Sequence, residues 1–166
     1  MKSKRLIFEK FKKQDFPLYF QLTGNEKVMQ LISGTALSKE EALERFENIL
    51  QLNEQVKELG YFIVKNIQDG SFIGLAKIVL LENKEAEIGY SLLPENWGKG
   101  YGSEISQTLV KEAKRFDFIE SLIAIIDPEN IASKKILEKS QFKLNQVCEL
   151  EGLPAEIYTL SLVENQ

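Results

Sequence analysis

At 166 residues the chain is long enough for one domain with a sizeable core, and its 43% apolar and 28% charged residues are ordinary for a globular protein. Its 21 basic against 25 acidic residues leave a formal charge of −4, which argues against a nucleic-acid-binding surface. There is no histidine, so Ser-His-Asp and Cys-His nucleophile pairs are excluded and a zinc site is disfavoured. The single cysteine, Cys148, cannot form an internal disulfide and follows Val147 in an apolar run, where it is expected to be a small buried hydrophobe. No apolar stretch reaches membrane-spanning length and no signal-peptide h-region opens the chain, so a cytoplasmic protein with no membrane partner is expected.

In chain order, Leu6 to Phe11 is predicted as a first strand, with the surrounding Lys2, Lys4, Arg5, Lys10, Lys12 and Lys13 as its solvated face. A short helix follows around Phe16 to Leu22, with Pro17 in its first turn and Thr23-Gly24-Asn25 ending it. Ser38-Lys39-Glu40-Glu41 has the form of a capping box, opening a long helix that ends at Gly60 with Leu43, Phe46, Leu50 and Val56 on one face. Strands are predicted at Tyr61 to Asn66, Phe72 to Leu81 and Glu85 to Leu92, the first two joined by the hairpin-like Gln68-Asp69-Gly70-Ser71. Ile105, Leu109, Ala113 and Phe116 recur at helical spacing after residue 100. The continuously apolar Leu122 to Ile126 reads as a strand buried on both faces. A helix over Ile131 to Lys139 and strands at Phe142 to Leu150 and Ile157 to Leu162, around the turn Glu151 to Pro154, complete the chain. The order is β-α-α-β-β-β-α-β-α-β-β, and with no repeat, low-complexity tract or dividing linker it reads as a single domain over residues 1–166.

The most informative stretch is Trp97-Gly98-Lys99-Gly100-Tyr101-Gly102-Ser103-Glu104, where three alternate glycines join a strand to the start of a helix. Glycine lets successive N–H groups converge on an anion, and the helix places its positive end at the same point. The run matches neither G-x-x-x-x-G-K-[ST] nor a G-x-G-x-x-G after the first strand, so P-loop and Rossmann readings are set aside.

Glu87-Ile88-Gly89-Tyr90, the run Pro94 to Gly102, and Asn130-Ile131-Ala132-Ser133 with Lys139-Ser140-Gln141-Phe142 together resemble the GNAT superfamily of acyl-CoA-dependent N-acetyltransferases. The match is closest to its RimJ/RimL-like branch, in which tryptophan at position 97 is usual. The resemblance implies an α/β (α+β) fold with a mixed, mostly antiparallel sheet flanked by helices and split between the Glu85 to Leu92 and Leu122 to Ile126 strands. Acetyl-CoA would be wedged into that opening, with no metal. Main-chain groups around Leu92 and Leu93 would pair with the pantetheine arm. After Trp97, the N–H groups of Gly98, Lys99, Gly100, Tyr101, Gly102 and Ser103 would hold the pyrophosphate, and Asn130 would cap the later helix and touch the CoA arm.

The chemistry then needs a neutral amine, and a free α-amine has a pKa near ~8 against ~10.4 for lysine. Glu87 interrupts an apolar strand beside the expected cleft and is the candidate base; the alternative is a carboxylate pointing to solvent. The tyrosine that many superfamily members use to protonate the departing thiolate falls on Leu137, leaving the Ser133 hydroxyl for that task or for helix capping alone. Gln141 stands where the family usually has glycine, at a cost of roughly 1 kcal/mol if its backbone is left-handed. The expected reaction is direct attack of a primary amine on acetyl-CoA. The acceptor is a protein N-terminal α-amine of the ribosomal-protein kind or, alternatively, a small amine such as a polyamine, amino acid or aminoglycoside. A CoA-binding regulatory module without turnover is the reading from another class. Acceptor choice is expected to lie in the early helices and the Glu151 to Glu156 loop, where Glu149, Glu151 and Glu156 either attract a cation or are simply solvated, and monomer and homodimer are both open.

Overall fold

Alternating apolar residues build the strands, and the apolar stripes of the helices close over the two faces of the sheet they form. The computed structural model describes residues 1–163. Its elements are β1 (Leu6–Lys10), α1 (Phe16–Thr23), α2 (Glu26–Met29), α3 (Lys39–Gln55), β2 (Gly60–Asn66), β3 (Phe72–Leu80), β4 (Glu85–Leu92), α4 (Tyr101–Ala113), β5 (Ser121–Ile126), α5 (Ile131–Lys139), β6 (Lys143–Leu150) and β7 (Leu153–Ser161). The seven strands form one sheet in the order β1-β2-β3-β4-β5-β7-β6. Its neighbours are antiparallel except for β4 and β5, which run parallel with α4 as the crossover that such a pair requires.

That parallel pair is brief. Glu85 pairs with Ser121, Ala86 with Leu122 and Glu87 with Ile123, and beyond this point β4 continues to Leu92 and β5 to Ile126 without pairing. The sheet therefore opens like a V from Ile88 onward. On one face Ala76, Ile78 and Ile88 pack against Ile105 and Leu109 of α4 and Leu137 of α5. On the other, Ile63 packs under Tyr19 and Leu22 of α1 and Phe46 and Ile49 of α3. Each such side chain contributes about 1.5–3 kcal/mol on burial.

Local capping fixes where the helices begin and end. Ser38 Oγ accepts from Glu41 N at 3.2 Å while Glu41 Oε2 accepts from Ser38 N at 2.8 Å, the predicted capping box. The end of α5 is a Schellman motif: Phe142 N donates to Leu137 O and Gln141 N to Glu138 O, both at 3.0 Å, and Gln141 takes the left-handed φ of 69° considered for it above.

Several expectations shift. A four-residue α2 appears, capped by Asn25 Oδ1, which accepts from Val28 N at 3.2 Å. In α3 the buried stripe is Ala42, Phe46 and Ile49, with Leu43 39% exposed, because the sequence carries two overlapping helical stripes and the sheet selects one; the helix ends at Gln55, short of Gly60. Phe116 lies beyond the last turn of α4. β5 is not buried on both faces, since Ile125 is 37% exposed at the opening of the V. β7 begins at Leu153, so the hairpin turn shrinks to Glu151 and Gly152, with φ of 50° and 80°. β6 pairs only with β7, and as an edge strand it leaves Val147 exposed and Cys148 half-buried instead of in the core.

Candidate functional site

The glycine turn has the backbone that its sequence demands. Gly98 and Gly100 have φ of 71° and 79°, a region that costs other residues about 1–2 kcal/mol, and Gly100 is the N-cap of α4. Gly102 is needed for close approach, because a Cβ there would lie 2.8 Å from Ile136 Cδ1 of α5. Gly98, Gly100, Gly102 and Ser103 line a chamber of about 440 Å³ together with Trp97 and Tyr101. Trp97 is pinned to the end of β4 by its Nε1, which donates to Leu92 O at 2.9 Å. The side chain of Lys99 does not line the chamber; its carbonyl accepts from Arg5 Nη1 at 2.9 Å.

Arg5 therefore does more than solvate the first strand. Its Nε donates to Glu104 Oε2 at 2.6 Å, its amide donates to Glu104 Oε1 at 2.7 Å, and its guanidinium lies 4.4 Å from the centre of the Tyr101 ring. Ser3 Oγ completes the cluster, donating to Glu104 Oε1 at 2.6 Å. Burial pushes the Glu104 carboxyl up, but Ser3, the Arg5 amide and the Arg5 guanidinium outweigh it and hold it below its usual value. A carboxylate in the first turn of α4 is thus neutralised beside a turn built to receive an anion.

At the opening of the sheet, Leu93 N donates to Ile73 O and Leu81 N to Glu85 O, so the odd-numbered residues of β4 face β3. By alternation the main-chain groups of Tyr90 and Leu92 face the gap. Leu92 lines the chamber, whereas Leu93 is buried among the residues under α1 and α3 with its N–H already taken. The backbone groups available to an extended ligand are accordingly those of Tyr90 and the N–H of Leu92, whose carbonyl already accepts from Trp97 Nε1, and not those of Leu93.

A second chamber, about 720 Å³, lies on the far side of the opening. Its floor includes Lys77 of β3 and Glu87 of β4; one wall carries Tyr19, Leu22 and Ile49 of α1 and α3, and the other Leu150, Glu151 and Leu153 of the β6–β7 hairpin. Glu87 faces this chamber, with Oε1 2.5 Å from Lys77 Nζ and no protein partner on Oε2 among the described residues. Lys77 Nζ also lies 5.7 Å from the centre of the Tyr61 ring. Burial pushes the Tyr19 phenol up to about 12, against the pull of Arg45 and with a further push from Tyr61. Of the neighbouring carboxylates, Glu151 lines the chamber, while Glu149 does not and Glu156 is buried, paired with Lys134 at 3.0 Å and accepting from Tyr158 Oη at 3.2 Å. Lys134 is therefore committed to Glu156.

The two chambers meet at Leu31, Ile32, Tyr90, Ser91, Asn130 and Ser133, which line both. Asn130 Oδ1 accepts from Ser133 N at 3.1 Å, which caps α5 and leaves the Ser133 hydroxyl directed to other partners. Tyr90 Oη is buried with no hydrogen bond of good geometry. Burial pushes its phenol above the usual value, with the Ser133 hydroxyl opposing that push. Leu137, at the position where the family usually has tyrosine, is core.

The structure thus brings Glu87, Leu92, Asn130, Ser133, Trp97 and the glycine turn to one continuous cleft and leaves out Leu93 and the Lys99 side chain. Sequence reasoning gave no role to Lys77, Tyr90 or Arg5. Lys77 had a signal: it is the only charge in the nine-residue strand Phe72–Leu80. Tyr90 had none beyond its place in the Glu87-Ile88-Gly89-Tyr90 motif, and Arg5, read as part of the solvated face of the first strand, had none.

Comparison with known proteins agrees with this geometry. The domain described as Acetyltransferase (GNAT) domain matches residues 5–143. The uncharacterized N-acetyltransferase p20 of Bacillus licheniformis is 27% identical over 173 residues, covering 99% of this chain and 96% of its own. Among solved structures, a GNAT-family acetyltransferase from Bacillus anthracis superposes with a TM-score of 0.81 at 24% identity over 98% of both chains. RimL, a ribosomal L7/L12 α-N-protein acetyltransferase in complex with coenzyme A, superposes with a TM-score of 0.79 at 20% identity, covering 96% of this chain and 95% of its own.

Proposed function

Because the chain belongs to the GNAT acetyltransferase domain family and is an acetyl-CoA-dependent N-acetyltransferase, we propose that it transfers the acetyl group directly to a neutral primary amine held over Glu87, without a covalent acyl-enzyme. The acceptor we propose is the α-amine of a protein N-terminus. The observation that carries the reading is the single cleft in which Tyr90, Ser91, Asn130 and Ser133 join the glycine-turn chamber to the chamber of Glu87.

Acetyl-CoA would lay its pyrophosphate on the N–H groups of Gly98 to Ser103 at the start of α4 and its pantetheine arm along Tyr90 and Leu92. Its thioester then falls at the junction. The amine enters from the larger chamber, and Glu87 Oε2 accepts its proton directly or through water while Lys77 fixes the carboxylate through Oε1. An α-amine needs less help than lysine because more of it is neutral at pH 7. The Ser133 hydroxyl donates to the departing thiolate, backed by the Tyr90 phenol, whose raised pKa keeps it protonated.

The test is thiol release from acetyl-CoA with short peptides bearing free N-termini, read alongside the acetyl mass increment on the peptide. Glu87→Gln should lower kcat/KM by ~10²-fold or more near neutral pH, in the range typical of general-base loss, with part of the rate recovered as pH rises and the amine becomes neutral unaided. Superimposable pH profiles for the two forms would remove Glu87 from the mechanism. A protein that binds CoA and releases no thiol with any amine would be a binding module, and the proposal would fail.

A further inference from the structure

The acceptor chamber also carries information about what it admits, provided the acetyl-transfer reading above holds. We propose that it selects a primary monoamine attached to a bulky apolar group, the free amine of an apolar amino acid or of a peptide beginning with one, and rejects polyamines.

Two independent features point to this occupant. The first is apolar surface with no partner in the fold: Ile32, Ile125 and Leu150 are 51%, 37% and 40% exposed, come from three separate segments, and all line the same chamber. Exposed apolar side chains gathered on one concavity mark a binding surface more often than scattered ones do. Below them the helical wall offers Leu22, Ile49 and Leu52, and the hairpin offers Leu153.

The second feature is charge. A polyamine needs several carboxylates, yet those lining the chamber are Glu87, Asp127 and Glu151. Glu87 spends one oxygen on Lys77, and Asp127 Oδ1 accepts from Glu129 N at 2.7 Å. Lys77 and Arg45 line the same space, so a second or third ammonium group would also meet two cations there. One amine can use Glu87 Oε2; an additional cation has only Asp127 and the exposed Glu151 of the hairpin turn, where solvent screening limits an ion pair to about 0–1 kcal/mol. Lys77 is held where it is by its ion pair and by the Tyr61 face, so it does not swing away to admit one.

The experiment titrates phenylalaninamide, alaninamide and spermidine into the CoA-loaded protein by calorimetry and measures thiol release from acetyl-CoA with the same three amines. Phenylalaninamide should exceed alaninamide and spermidine by at least ~10-fold in affinity and in kcat/KM, since burying a side chain of that size is favourable by more than one decade in an equilibrium constant. Leu150→Glu, at an exposed position that lines the acceptor chamber and not the glycine-turn chamber, should narrow the preference for phenylalaninamide over spermidine by ~5-fold or more. Spermidine binding as well as phenylalaninamide, alaninamide matching it, or a ratio that does not move in Leu150→Glu would each overturn the proposal. Tight, selective binding of phenylalaninamide with no thiol release would sink the catalytic reading instead and leave the acceptor class standing.

Discussion

Replacing Arg5 by methionine keeps an unbranched flexible stem and removes the guanidinium, and two quantities should change by different mechanisms. The ion pair with Glu104 involves an arginine side chain that is 40% exposed, so solvent screening limits it to about 0–1 kcal/mol. The stacking on Tyr101 adds about 0.5–1 kcal/mol and the hydrogen bond to Lys99 O about 0.5–1.5 kcal/mol. Together these give about 2 kcal/mol, or a fall in Tm of roughly 4–8 °C for a domain of this size. The functional effect comes through Lys99, which sits between two glycines of positive φ and is tied down by Arg5. Freeing one residue adds about 1–2 kcal/mol of backbone entropy that binding must remove, so the affinity for CoA should fall roughly 5- to 30-fold. Pantetheine, which lacks the pyrophosphate, should bind as before. The stability difference between the two forms should also depend on pH. Glu104 has its carboxyl held below the unfolded value, so its contribution is present above the unfolded pKa of ~4.3 and is lost as pH falls through the folded value, where the difference between wild type and variant narrows to the stacking on Tyr101 and the bond to Lys99 O. Calorimetric titration with both ligands and thermal melts from neutral to acid pH decide it. Equal losses for CoA and pantetheine, or a Tm difference that persists unchanged into acid, would refute the argument.

Three further variants test neighbouring claims. Gly100→Val should abolish measurable CoA binding in a protein that still melts cooperatively, because φ of 79° is strained for a β-branched residue and its Cβ would sit 3.4 Å from Arg5 Nη2; circular dichroism and calorimetry check both halves. Ser133→Ala should reduce kcat without greatly weakening CoA binding, since a hydroxyl serving the leaving thiolate acts in the transition state; an unchanged kcat leaves only its place under the Asn130 cap. Tyr90→Phe should lower kcat by a smaller factor than Ser133→Ala and leave stability near that of the wild type, because the phenol it removes is buried without a good partner; a large Tm loss would show that the hydroxyl is structural.

What the sequence disclosed and what it concealed divide by range. The glycine turn, the Ser38 box and the Asn130 cap are decided within a few residues by φ limits and orphan N–H groups, and they stand where their residues put them. The role of Arg5 depends on a partner 99 residues away, and nothing local marks it. The Lys77–Glu87 pair is diagonal across β3 and β4, so it requires the register that sets Val79 opposite Glu87 and Lys77 opposite Gly89. Ala42 and Leu43 are adjacent, and only the position of the sheet decides which of them is buried. The exposure of Ile125 follows from where β4 and β5 stop pairing, a property of two strands that neither one encodes alone.

That stopping point also orders the chemistry. Had β5 continued alongside β4, the main-chain groups of Tyr90 and Leu92 would have been ladder partners; facing a gap, the Tyr90 groups and the Leu92 N–H would each cost about 1–3 kcal/mol if buried without a partner, while Leu92 O is met by Trp97 Nε1. An extended arm with alternating amide groups supplies partners at nearly the spacing of a strand, so the opening acts as a vacant strand position rather than a mere crevice. Register on that position has consequences further up the same strand. Glu87 lies three residues before Tyr90, and the last paired residue of the parallel ladder is Glu87 itself. A ligand fixed along Tyr90 and Leu92, with its phosphates on the turn that follows, therefore has its reactive end directed to the point where the sheet closes. At that point Glu87 faces the acceptor chamber from below and the Ser133 hydroxyl of α5 lies at the junction above. Shifting the ligand by one residue would turn its donors and acceptors away from both main-chain groups, so in the proposed mechanism the hydrogen bonds that would bind the arm would also position the thioester between Glu87 and Ser133.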